Sequence, residues 1–310
     1  MRRKGFTLVE LLVVIAIIAL LMGILMPALA RVRQLAFRLT CGTNLSGVGK
    51  AMLIYANDYE DELPKAGGRN SAWGPVALWT AANRTQAFGL GADGSGGKAT
   101  ISSCFYLLVK YAEVTPKSFI CKGDSGTSEF KLSDVTSGSL PSTFELIDAW
   151  DFGPSGTGGT SWKSCSYSYH LPFGSNYALT VSSEPGFAVA ADRNPWLGSP
   201  AGDPSAWNLF RPDITGMTGS TEQAKAGNAI SHQQEGQNVM FLDTHVEFEK
   251  RAYCSVEDDN IFTVGTVDGG AEYGSQPGLT SVPMSRKDTL LMHDPETFGT
   301  STTPSRTSGS

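Results

Sequence analysis

Three side chains in the second half of the sequence are spaced for chemistry: His232, Asp243 and His245. Asp243 and His245 are two residues apart, which puts them on one face of a strand, and imidazole with carboxylate is a metal-ligand set. No fourth ligand stands nearby, and a turn at Asp243 would break the shared face. A hydrogen bond between His232 and Asp243 across a hairpin is therefore the reading preferred over a metal site. No G-x-S-x-G segment occurs, and His170 in "SYSYHL" is the one lone base candidate, so no catalytic residue is expected. The other chemically exposed group is Glu10, which sits just before an unbroken apolar or glycine run from Leu11 to Met26. A carboxylate in hydrocarbon costs a few kcal/mol and needs a positive partner.

A helix from Phe6 to Ala30, at about 1.5 Å per residue, crosses a hydrocarbon core of about 30 Å. Arg2, Arg3 and Lys4 before the run place its amino end in the cytoplasm and the rest outside. A cleaved secretory signal is the competing reading, because Ala28-Leu29-Ala30 has the form of a cleavage site. Against it, apolar residues continue in steps of three or four through Val32, Leu35, Leu39, Leu45, Val48, Met52, Tyr55 and Tyr59, with Gly42 in the gap. This spacing predicts one long helix with a single apolar face, ending near Asp58.

The segment "KGFTLVELLVVIAIIALL" resembles the processing signal of type IV pilins and type II secretion pseudopilins. The resemblance implies cleavage by a prepilin peptidase between Gly5 and Phe6, N-methylation of Phe6, and a role in assembly for Glu10, which attracts the terminal amine of a neighbouring subunit. Pro27 matches the family's helix-bending proline. Implied partners are the peptidase, other pilin or pseudopilin subunits, an inner-membrane assembly platform and membrane lipid. The implied location is a bacterial inner membrane, with a single span and a periplasmic or surface body. The expected fold is α+β and pilin-like, a long N-terminal helix packed on a mainly antiparallel sheet with long loops. The expected divisions are a leader at 1–5, membrane half-helix at 6–30, exported half-helix at 31–63, body at 64–298 and a disordered tail at 299–310.

The 310-residue chain carries a net charge of −6 with only 17% charged residues, and its cations are scattered outside the amino terminus. That excludes nucleic acid as a partner. Glycine (35) and proline (16) favour a loop-rich body with strands over a helical bundle. Residues 65–100 read as an irregular loop, and a short helix follows Ser102-Ser103 with Phe105, Leu108 and Val109 inward. "SYSYHL" and "FAVAAD" read as strands, and residues 230–250 as a unit containing a hairpin with one wetter face. The hairpin resembles a pilin-associated motif in which a His precedes Asp-Gly by nine residues. Here ten residues intervene and Thr244 replaces the glycine, which argues against a tight two-residue turn and for a bulge or longer loop. "FICKGD" (119–124), "ADRNPW" (191–196) and "DDNIFT" (258–263) also resemble segments of that group.

No cofactor is expected beyond calcium at the acidic helix end, Asn57, Asp58, Glu60, Asp61 and Glu62, where a hydrated charged terminus is preferred because the spacing is not an EF-hand loop. Of five cysteines, Cys41, Cys104, Cys121, Cys165 and Cys254, four could pair in an exported chain, and at least one is left over. Six tryptophans in loop-like surroundings leave open a membrane-tethered polysaccharide-binding module that uses the signal only for export. A metal-dependent enzyme at His232, Asp243 and His245 is the other alternative.

Overall fold

The computed structural model describes residues 7–135, 140–156, 158–174, 179–197, 220–265 and 274–298. The expected leader with Gly5 and Phe6, the loop at 198–205, Trp207 and the tail at 299–310 lie outside the described residues.

Helix α1 (Leu8–Asp58) is 51 residues long and continues through Pro27. It begins with a capping box, in which the Thr7 hydroxyl accepts from the Glu10 amide while the Glu10 side chain returns to the Thr7 amide. It ends at Tyr59, and positive φ angles at Glu60 and Asp61 turn the chain away, so the helix stops short of residue 63. Its amino-terminal part is bare. Large apolar residues from Leu8 to Leu39 are exposed, whereas Cys41, Leu45, Val48, Met52 and Tyr55 are buried against the body.

The single apolar face expected from spacing is two faces. At about 100° per residue, the six-residue step from Leu39 to Leu45 turns the pattern by about 120° round the helix. Val32, Leu35 and Leu39, exposed by 62%, 55% and 66%, consequently point away from the body that Leu45, Val48 and Met52 pack on.

The region expected to be an irregular loop holds helix α2 (Arg84–Phe88) and a short parallel pair, β1 (Ala72–Trp73) with β2 (Lys98–Ala99). Helix α3 (Ile101–Tyr111) follows, with Phe105 and Leu108 fully buried as the sequence predicts. The main sheet has five antiparallel strands. They are β3 (Tyr167–His170), β4 (Ala188–Asp192), β5 (Gln237–Phe241), β6 (Val246–Glu249) and β7 (Leu291–Met292), in the order β6-β5-β4-β3-β7. Helix α4 (Thr221–Ala226) precedes β5. The arrangement is α+β and consistent with a pilin-like fold.

Both faces of the sheet are covered. Met240, Leu242, Val189 and Ala190 join the core under α1 and α3, while Val239, Phe241, Ala188 and Ala191 pack with Trp196, Ile261 and Phe262 on the other side. This double cover is why β3, β4 and β5 are buried along their whole length, and why the expected wetter face is confined to β6, an edge strand. A bulge between Ala188 and Ala190 puts Val189 and Ala190 on one side together.

Helix α1 crosses the hairpin at two glycines. A Cβ on Gly49 would lie 2.4 Å from Met240 Sδ, and one on Gly42 would lie 3.1 Å from Asn238 Oδ1. The absent side chains let backbone and sheet approach closely.

Candidate functional site

The buried end of α1 is tied to the body by a polar knot. Cys41 on α1 forms a disulfide with Cys121, which follows the 3₁₀ turn Pro116–Phe119. Cys104 and Cys165 are buried free thiols and Cys254 is a partly exposed one, so one pair forms where two were available. Burial pushes the Cys104 and Cys165 thiols up to about 12, which keeps them protonated.

Beside the disulfide lies His232, at the end of the 3₁₀ turn Ile230–His232, with Nε2 3.7 Å from Cys121 Sγ. The same nitrogen is 3.1 Å from Oδ2 of Asp192, the last residue of β4. Asn238 on β5 donates to that carboxylate oxygen from its backbone nitrogen (2.7 Å) and from Nδ2 (3.1 Å). Two residues along the loop, Gly123 passes so close to residue 231 that a Cβ would meet the Ser231 carbonyl oxygen at 2.4 Å.

A second buried pair continues the knot. Arg193 Nε is 3.1 Å from Asp124 Oδ2, and Arg193 also donates to the carbonyls of Trp162 and Cys165. Burial raises the Asp124 carboxyl, and the Arg193 guanidinium opposes that rise. Asn194 then reaches across the sheet to donate to the carbonyls of Phe262 and Leu291. The segments 119–124, 191–196 and 258–263, separate in sequence, therefore meet around one centre.

This geometry corrects the expected pairing. His232 bonds Asp192, not Asp243. Asp243 bonds His245 on the exposed hairpin turn, where its Oδ1 accepts from the His245 amide at 3.1 Å. The turn has three residues, Leu242, Asp243 and Thr244. It is closed by Thr244 N donating to Phe241 O and Phe241 N donating to His245 O. Thr244 takes φ +69°, the position that usually favours glycine, so the longer loop expected from the sequence is present. Gln233 and Gln234, directly after His232, both adopt left-handed backbone, and the imidazole is buried.

The candidate metal trio is thus split. A different trio, Cys41, Cys121 and His232, brings its ligand atoms within 4.8 Å of one another. With both sulfurs joined neither is a thiolate, and the trio offers the imidazole alone. The acids at the end of α1 are exposed or engaged in turns, with Asp61 O accepting from Val181 N, and they do not converge on a point.

The remaining candidates, His170 and the tryptophans, lie within the packing, as does a Ser168–His293 pair. Ser168 Oγ, 3.4 Å from His293 Nδ1, is fully buried and accepts from Asn194 N. His170 lies under Phe187, and burial pushes it down to about 4, which leaves it neutral. Trp150, Trp162 and Trp196 are buried, Trp73 donates to Asp294, and Trp79 packs edge-on to Phe130 and Phe144. These five tryptophans anchor loops.

At the other end of α1, the Thr7 amide and hydroxyl both donate to Glu10 Oε2 at 2.8 Å. The helix beyond it is long and apolar enough to cross a membrane, and none of its most apolar stretch is buried in the body. The prokaryotic N-terminal methylation motif matches residues 1–26. This is a type IV pilin-like protein. Its motif is that of chains processed by prepilin peptidase and assembled with other pilins, and among the described residues α1 is the one helix long and apolar enough to anchor it in a membrane. No curated protein and no solved structure matches the pilin-like chain.

Sequence reasoning missed Asp192 and the Cys41–Cys121 pairing. Asp192 left a trace: an acid ending an otherwise apolar five-residue strand requires a buried partner. The disulfide left none, because spacing does not encode connectivity.

Proposed function

We propose that this pilin-like chain is a non-enzymatic subunit of an envelope-spanning filament, of the type IV pilus or type II secretion pseudopilin kind. Prepilin peptidase removes residues 1–5 and methylates Phe6, the amino end stays cytoplasmic, and the body is exported from the inner membrane. Glu10 then meets the Phe6 ammonium of a neighbouring subunit at the assembly platform. In the single chain both Thr7 bonds use Oε2, which leaves Oε1 open to such a contact.

The observation that carries this reading is the second apolar face of α1. Val32, Leu35 and Leu39 lie past the end of the span and point away from the body, where neither lipid nor the chain's own core covers them. Neighbouring helices in a filament would bury them, each contributing about 1.5–3 kcal/mol.

Leu35→Asp tests it in cells. The reading predicts normal processing, a normally folded body and sharply reduced incorporation into sheared surface filaments. Unchanged incorporation would count against the assembly role.

A further inference from the structure

A groove of about 470 Å³ runs between α1 and the body at the level where the helix leaves the membrane. One wall is apolar, formed by Met26, Leu29 and Phe37; the other comes from the loops at 122–123 and 230–233. Arg33 and Lys122 both line it. At about 1.5 Å per residue, roughly 20 residues from Leu8 cross a core of about 30 Å, which ends the span near Pro27. The groove therefore opens at headgroup depth, with Met26 and Leu29 beside the acyl chains.

Charge singles out the occupant. Between Glu10 and Asp58 the chain has no acid, but it has Arg31, Arg33, Arg38 and Lys50, in a protein of net charge −6. Arg38 pairs with Glu235, whereas neither Arg33 nor Lys122 has an ion-pair partner among the described residues. The Arg33 guanidinium is held over the Phe37 ring, 5.2 Å from its centroid, which fixes it at the groove wall. Cations flanking the exported end of a span run against the charge bias that orients single-span proteins, so their presence there has a cost that a ligand would offset.

We propose that this groove binds the headgroup of an anionic phospholipid, with Arg33 and Lys122 on the phosphate and one acyl chain along Met26 and Leu29. A guanidinium and an ammonium together match a phosphodiester, the first through a forked donor pair and the second as a point charge. A zwitterionic headgroup brings its own ammonium into this cationic pair and fits poorly. The inference rests on the membrane-anchored reading of α1 and is independent of filament assembly. It deepens the body's role by fixing its tilt at the bilayer surface.

The test uses the full chain in nanodiscs of phosphatidylcholine mixed with phosphatidylglycerol, released into native mass spectrometry. One retained phosphatidylglycerol is expected, favoured over phosphatidylcholine by roughly thirtyfold for two cationic contacts. Arg33→Gln with Lys122→Gln should abolish the preference. Arg31→Gln with Lys50→Gln, an equal change of charge outside the groove, should keep it, and the Cys41–Cys121 disulfide reports that each variant is folded. Equal retention by both double variants, no preference between the lipids, or a second copy of the chain retained in place of lipid would each overturn the proposal. Unchanged filament incorporation of Leu35→Asp with lipid retention intact would refute only the assembly reading.

Discussion

His232 Nε2 and Asp192 Oδ2 face each other at 3.1 Å inside the body, with side chains 2% and 0% exposed, next to the disulfide that ties α1 to the sheet. The pair joins the turn before β5 to the end of β4, and so positions the whole hairpin under α1. Removing one partner of a buried pair leaves the other uncompensated, which costs about 3–5 kcal/mol. His232→Ala or Asp192→Ala should each lower the unfolding free energy of the detergent-solubilised chain by that amount. Asp243→Ala, at the exposed turn, should cost under about 1 kcal/mol. Equal losses at Asp192 and Asp243 in urea titrations would show that the knot is misassigned.

The disulfide closes a loop of sequence separation 80. In the chain-entropy account, opening a loop of that size gives up about 4–5 kcal/mol. The double variant Cys41→Ser, Cys121→Ser should show that loss, and wild type under a dithiol reductant should match it. A change of under about 1 kcal/mol would mean that packing around Leu45 and Met52 holds the helix to the sheet unaided.

Thr244 holds a left-handed backbone that costs a β-branched residue about 1–2 kcal/mol. Thr244→Gly removes that strain while giving back about 0.4–1 kcal/mol of unfolded-chain entropy. The expected net gain is about 0.5–1 kcal/mol in thermal or urea unfolding. Destabilisation would indicate that the threonine side chain, which packs near Gly49, contributes more than its backbone costs.

Two buried groups act oppositely on acid stability. Burial, aided by the neighbouring Asp294 carboxylate, pushes Asp151 up to about 7, and Thr100 Oγ1 donates to it at 2.7 Å. Its contribution is fully present below about pH 4 and is lost as pH rises through about 7. His170, pushed down to about 4 by burial alone, contributes above about pH 6.5, and that contribution is lost as pH falls through about 4. Between pH 4 and 7 the two slopes oppose. Relative to wild type, Asp151→Asn should become steadily less stable as pH falls across this window. His170→Phe should become steadily more stable over the same range. Parallel profiles for both variants and wild type would show that neither group changes its proton binding on folding.

Much of α1 was legible in the sequence because its signals are local. An unbroken apolar run, a three-to-four spacing and the acidic end before Pro64 place it within a few residues. The strands at 167–170 and 188–192 were legible as short β-rich runs, but not their burial on both sides, which depends on Trp196 and Phe262 arriving from elsewhere. The parallel pair at 72–73 and 98–99 has two residues per strand, too few for any periodicity to register. The turn of the apolar face between Leu39 and Leu45 was written in a six-residue step that Gly42 disguised as continuity. His232 stood out in the sequence, and in the structure it is buried against Asp192. That partner did not stand out, because the nearest acid in sequence motif, Asp243, is held by His245 at the surface.

The account depends on residues 1–5 being removed and α1 kept. Intact-mass and amino-terminal analysis of the protein from its native membrane should therefore find a chain that begins with N-methylated Phe6 and retains Glu10 and the whole apolar helix. A chain that begins at Arg31, released from the membrane without its anchor, would contradict it.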